Sequence, residues 1–271
     1  MLNEAKKLLN DEYLRYRDII PENTVYSTWY DEKIRHSMQV FGAGNYLVRR
    51  IKWLQNKPDE YMEMVRTAVL LHDICRFREI EALIKENKRI DHGVEAAKFL
   101  QSTEMFNDIR IWLPIYHHGH LIEELYHDEQ YQNLPENLRN EVKLICFIIR
   151  DADKIANLHM MAYESQMRPL FLSSGTGNAL HDYHISDFAK ADAFAGKTVR
   201  RTPECTIADR MLGYLSWFND INYRYSVSFC EKLGVIQKLK ACFAEICSDK
   251  EFADKYLAYF DECLRKRAFL D

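Results

Sequence analysis

AVLLHDICRF, residues 68–77, decides how this chain is read: an apolar run carries His72 and Asp73 inward, and Arg76 follows. Upstream, Tyr61, Val65, Ala68 and His72 stand at i, i+4, i+7 and i+11, the spacing of one helical face. That helix starts at Pro58 or Asp59, after the break Lys57-Pro58-Asp59, and brings His72 to the interior. Adjacent side chains on a helix diverge by about 100°, so His72 and Asp73 converge only where the helix ends or where a metal sits between their directions. An ionised Asp73 among aliphatic side chains costs several kcal/mol unless a cation satisfies it. A divalent metal is the cation that would also use the imidazole.

Working outward, further His and Asp residues interrupt helical apolar faces. A helix over about 31–54 places His36 on a stripe with Val40, Ala43, Leu47 and Leu54. Asp91 is a candidate N-cap, which puts His92 in the first turn of GVEAAKFLQS. The segment NDIRIWLPIYHHG carries Ile109, Leu113 and His117 at four-residue spacing, with a kink or broken start expected at Pro114. In the long helix from about Pro135, Leu144, Ile148, Asp151, Ile155 and Leu158 form one stripe, so Asp151 interrupts its apolar face and needs a partner.

Residues 2–17 form a charged amphipathic helix, with Leu8, Leu9, Tyr13 and Leu14 on one side, that serves as a lid or brace. Past Met167 the sequence turns loop-rich, and helices resume near Thr206. The pattern predicts about ten helices and no strand, an all-α helical bundle. It reads as a single all-α domain over 1–271, with a core at about 28–165 and a C-terminal helical extension at about 166–271.

With 37 basic against 41 acidic residues, the chain lacks the basic excess that phosphate contacts to a nucleic acid polymer require. A small phosphorylated ligand needs only one or two local cations and stays open as a partner. Seven cysteines without CxxC spacing argue for a reducing compartment. The charged N-terminus and the lack of an apolar run of about 18 residues predict a cytoplasmic protein with no membrane partner. Oligomeric state is not legible.

The order H…HD…H…HH…D, with the wording LLHDICRF, IDHGVEAAKFL and RDADKIANL, resembles the HD superfamily of metal-dependent phosphohydrolases. The resemblance covers roughly residues 30–160 and, more faintly, WFNDINYRYS from Trp217. It implies a first metal held by His36, His72, Asp73 and Asp151. It also implies a second, bridged by Asp73 and held by His92 and by His117 or His118, because the extra histidines resemble the two-metal branches. Fe or Mn is favoured, and Zn, Co or Ni would suit the same donors. Asp153 would be an outer hydrogen-bond acceptor and Cys75, where related sequences often carry Gly, a packing residue.

The implied reaction is hydrolysis of a phosphomonoester or phosphodiester in a small molecule, a nucleotide, by metal-activated water. Asp73 is catalytic through its bridging charge, and Arg76 and Lys154 hold the phosphate. HLIEELYHD stands after HHG where cyclic-dinucleotide phosphodiesterases carry GYP, which argues against that substrate. A di-iron oxygenase on the same scaffold and a non-catalytic nucleotide-binding regulatory module are the competing readings. Two further His-Asp pairs, His127-Asp128 and His181-Asp182, lack a preceding apolar run and read as surface residues. SSGTGN reads as a loop, and Lys197, Arg200 and Arg201 as a solvated basic face.

Overall fold

Two side chains make the first long helix of the core start earlier than its apolar stripe announces. The Thr24 side chain accepts from Ser27 N, and Ser27 Oγ accepts from Thr24 N, a reciprocal cap that satisfies two otherwise orphaned donors. The computed structural model describes residues 1–22, 24–164, 172 and 182–271. The fold is all-α, and no strand occurs among the described residues.

The chain divides into two compact units, 1–153 and 154–271. In the first, α1 (Leu2–Arg17) precedes α2 (Val25–Val48), the one-turn α3 (Lys52–Gln55) and α4 (Asp59–Leu71). These are followed by α5 (Arg76–Glu86), α6 (His92–Gln101), α7 (Ile109–His117), α8 (Ile122–His127) and α9 (Glu129–Gln132). The long α10 (Glu136–Tyr163) contains the division between the units, which therefore falls before residue 166, where the sequence changes character.

The second unit holds α11 (Asp187–Phe194), α12 (Ile207–Ser216), a 3-10 turn (Trp217–Asp220), α13 (Arg224–Lys232), α14 (Val235–Ile246) and α15 (Lys250–Lys266). Its C-terminus is tied back by Arg224 N to Leu270 O at 3.1 Å and Leu270 N to Asn222 O at 2.9 Å. SSGTGN and His181 lie outside the described residues. No described helix is long and apolar enough to cross a membrane, and all seven cysteines are free thiols.

Helix α4 is the spine of the first unit, in contact with α1, α2 and α7. Its start is set by Pro58, which has no N–H to leave unpaired, and by Asp59 and Glu60 at the positive end of the helix. Every residue from Thr67 to Leu71 is buried, so this last turn is held from all sides. Helix α1 is a brace, packed on α4 and α5 through Ala5, Leu9, Glu12 and Tyr16, whereas Leu14 points to solvent. The stripe is displaced from the expected one because fully buried Glu12 meets Arg78 of α5 at 3.2 Å. Tyr13 stacks on Tyr30 with ring centroids 4.9 Å apart, which ties α1 to α2.

Two glycines set how closely the site-bearing helices approach. A Cβ on Gly44 would stand 2.5 Å from Val69 Cγ1, so α2 and α4 touch backbone to side chain. A Cβ on Gly93 would stand 2.8 Å from Tyr116 O, so the start of α6 lies against the end of α7.

Gly44→Ala overpacks the α2–α4 contact and should cost about 1–3 kcal/mol in denaturant unfolding. Adding Val69→Ala should return part of that loss, because the clash is with a side chain; a double variant no more stable than Gly44→Ala alone would contradict this packing.

Candidate metal centre

The end of α4 turns His72 and Asp73 toward one point. Ile74 N bonds Leu71 O at 3.0 Å and Arg76 N bonds Asp73 O at 2.9 Å, so the chain reverses in tight turns and restarts as α5. His72 Nδ1 lies 3.0 Å from Val69 O. A carbonyl only accepts, so Nδ1 carries the proton and Nε2 keeps its lone pair. That Nε2 is buried without a hydrogen-bond partner and stands 3.8 Å from Asp73 Oδ2. Burial pushes the His72 imidazole down to about 4, which keeps it neutral at pH 7.

His118 repeats this device at the end of α7. Its Nδ1 is 2.6 Å from Ile115 O, and its Nε2 faces Asp73 Oδ1 at 3.5 Å and His92 Nε2 at 3.3 Å. His92 opens α6, where Asp91 Oδ1 accepts from Gly93 N at 2.9 Å and Val94 N at 3.0 Å. His92 Nδ1 is 3.5 Å from Glu79 and its Nε2 is 3.2 Å from Asp73 Oδ1. Burial, and then Arg76, push the His92 imidazole below its ordinary range. On the other side, His36 Nε2 is 2.9 Å from Asp153 Oδ1 and 3.9 Å from Asp73 Oδ2.

The result is two groups that share one carboxylate. His36, His72 and Asp73 offer donor atoms within 4.8 Å of one another, and so do Asp73, His92 and His118. Burial pushes the Asp73 carboxyl up, but the Arg76 guanidinium together with His72, His92 and His118 outweighs this and holds it well below the usual carboxylate range. Burial likewise opposes ionisation of Asp153, and His36 together with His72 outweighs it and keeps the carboxyl below its usual range. Neutral imidazoles whose lone pairs face a buried, ionised carboxylate are what a divalent transition metal requires. The second nitrogen of His72, His118 and His92 is engaged by a carbonyl or a carboxylate, as in outer-shell support of metal ligands. These residues can hold a metal ion.

Two of the expected site residues meet different partners. Asp153, not Asp151, reaches His36 and stands 3.9 Å from His72. Two positions on a helix differ by about 200°, so with Asp153 turned to the centre Asp151 is turned away. The buried stripe misled because α10 is buried on more than one face, with Asp151 and Ala152 both fully covered. Lys154, expected at the phosphate, instead pairs with Asp220 at 2.8 Å.

Of the alternative pair, His118 joins the cluster, whereas His117 turns to Asp128 at 3.1 Å. Asp128 is thereby no idle surface acid, and it also caps α9 through Tyr131 N at 3.0 Å. Asp182 is half exposed and pairs with exposed His184, and neither belongs to a metal donor set among the described residues. In the second unit Arg200 pairs with Asp192 at 2.8 Å, and Arg201 covers the Tyr214 and Trp217 rings. Cys75 is buried, and burial pushes its thiol up to about 12, consistent with packing.

Other residues here escaped the sequence reading. Glu79 holds Arg76 at 2.6 Å as well as His92. Asp91 Oδ2 takes His120 Nε2 at 2.8 Å. Arg150 Nη1 donates to the carbonyls of His117, His118 and His120, clamping the turn after α7. Lys33, one turn before His36, is lowered by burial and by Arg76 while Asp73 and Asp153 pull the other way, which brings its charge into the same field. The signal for Lys33 was its i−3 position from His36; Glu79 and Arg150 carried none.

Beside the His92–His118 group lies a pocket of ≈ 350 Å³ whose wall includes Arg76, Glu79, Arg89, Tyr116 and His120. It opens the second donor group to a ligand with cations at hand.

Among known families, the model for the HD domain matches residues 34–158. A search of curated proteins found no match, and neither did a search of solved structures. The matched segment begins two residues before His36 and runs past Asp153, so it contains the whole His/Asp cluster. Residues 34–158, the segment that carries the whole His/Asp cluster, are thus an HD domain within the first unit and the start of the second.

Proposed function

We propose that the protein hydrolyses a phosphomonoester or phosphodiester bond in a small phosphorylated molecule, a nucleotide, with two divalent transition metals, Fe or Mn. The observation that carries this reading is the position of Asp73: Oδ2 faces His36 and His72, and Oδ1 faces His92 and His118. His36, His72, Asp73 and Asp153 would hold one metal, and Asp73, His92 and His118 the other. Bound there, the metals would supply water acidic enough to attack phosphorus at neutral pH and positive charge for the developing oxyanion.

The chain's own residues do the rest. Arg76 neutralises Asp73 across 3.4 Å and reaches the pocket wall, where it meets an incoming anion. Glu79 keeps both Arg76 and His92 oriented, so the cation and the donor move as one unit. Asp91 fixes the start of α6 and the His120 ring together, and Arg150 fixes the backbone that carries His118. The same donors would serve a di-iron oxygenase or a non-catalytic nucleotide sensor. The cationic wall of the pocket, Arg76 with Arg89, favours an anionic, phosphorylated ligand over a neutral one.

Elemental analysis of protein purified without chelator should find about two metals per chain. Asp73→Ala and His118→Ala should lower that figure, and so should Asp153→Asn. Asp151→Asn and His117→Ala should leave it unchanged. A variant at Asp151 that loses metal while Asp153→Asn keeps it would overturn the assignment.

Metal-loaded protein should hydrolyse p-nitrophenyl phosphate or bis(p-nitrophenyl) phosphate without consuming oxygen. Asp73→Ala should lower that rate by about a thousandfold or more. Oxygen-dependent turnover would favour the oxygenase, and tight nucleotide binding with no turnover the sensor.

A further inference from the structure

The hydrogen-bond donors that line the pocket differ in what they have left to give. Arg76 is partly engaged within the protein, with Nη1 on Glu79 at 2.6 Å and Nε 3.4 Å from Asp73, which leaves Nη2 for the phosphate at the centre. His120 gives Nε2 to Asp91 at 2.8 Å. Arg89 is exposed and, among the described residues, has no carboxylate or other hydrogen-bonding partner. Its guanidinium keeps its full set of donors, in the planar fork that fits a phosphate or carboxylate two bonds at a time. The acids of the same wall are engaged: Glu79 with Arg76 and His92, Asp91 with the α6 N-terminus and His120. The uncompensated charge of this wall is therefore that of Arg89.

Its backbone is also held at both ends. α5 stops at Asn87 in the left-handed conformation, φ 49°, with Lys88 N bonded to Ala82 O at 3.3 Å. Asp91 then caps α6. A few residues between two fixed helix ends leave Arg89 little backbone freedom to lose on binding, so only its side chain has to be ordered. A pocket of ≈ 350 Å³ falls at the lower end of the size range of small-molecule sites.

We infer that Arg89 binds a second anionic group on the substrate, so that the pocket selects small molecules with two separate anionic groups, such as nucleoside bisphosphates or diphosphates, over simple monoesters. This rests on the phosphoester reading of the same pocket. The phosphorus under attack lies toward Asp73, His92 and His118. Arg89, on a different segment of the wall, takes the other group.

Titration calorimetry on Mn-loaded protein with AMP, ADP and adenosine 3′,5′-bisphosphate tests this. At least one two-phosphate ligand should bind about tenfold or more tighter than AMP. Arg89→Ala should shrink that ratio below about threefold, and Arg89→Lys should keep part of it, since a point charge replaces the fork. Metal content equal to wild type in both variants shows that the fold and the centre are intact. Three results would overturn the inference: no preference for two phosphates in the wild type, an equal weakening of all three ligands in Arg89→Ala, or no binding of any of them. Hydrolysis of p-nitrophenyl phosphate by the same preparation reports separately on the phosphoester reading.

Discussion

A single buried carboxylate organises the first unit. Asp73 is 3% exposed, and an ionised group so placed is tolerable only where neighbours compensate it. Helix after helix is brought to it: His36 from α2, Arg76 from α5, His92 from α6 and His118 from the end of α7. The packing of these helices is thus tied to the electrostatics of one residue. The close approaches at Gly44 and Gly93 follow from the same demand, since a methyl group at either would push apart helices that carry donors.

Helix ends do much of the positioning. His72 and His118 are the C-caps of their helices, and each gives its Nδ1 proton to the carbonyl three residues back. Terminal carbonyls of a helix lack intrahelical donors, so this bond satisfies the helix end and fixes the imidazole tautomer at once. His92 sits at the opposite kind of end, the first residue of α6, and there a carboxylate from α5 plays the part of the carbonyl. Arg150 completes the arrangement by gathering the carbonyls of the turn after α7, where a buried Arg is worth more than a solvated one.

The charge pattern of the pocket follows from this support. Acids near the centre are occupied in orienting imidazoles and Arg76, which leaves the wall positive in the direction of Arg89.

Much of this could be read from the chain. The helical periodicity around Tyr61, Val65, Ala68 and His72, the break at Pro58 and the cap at Asp91 are local effects, and they determined α4, α6 and the all-α class. His36, His72, Asp73 and His92 interrupt apolar faces, so burial without local compensation marked them. Tertiary structure decided what local pattern left degenerate. Asp151 and Asp153 are both candidates on a helix buried on more than one face, and only the position of His36 selects Asp153. His117 and His118 are adjacent, and the end of α7 together with Asp128 separates them. Lys154 is drawn to Asp220, and Glu79 is drawn to His92, by contacts between residues far apart in sequence. Periodicity specifies which face a residue occupies, but the partner on the other side of that face is supplied by a distant segment, and only packing brings the two together.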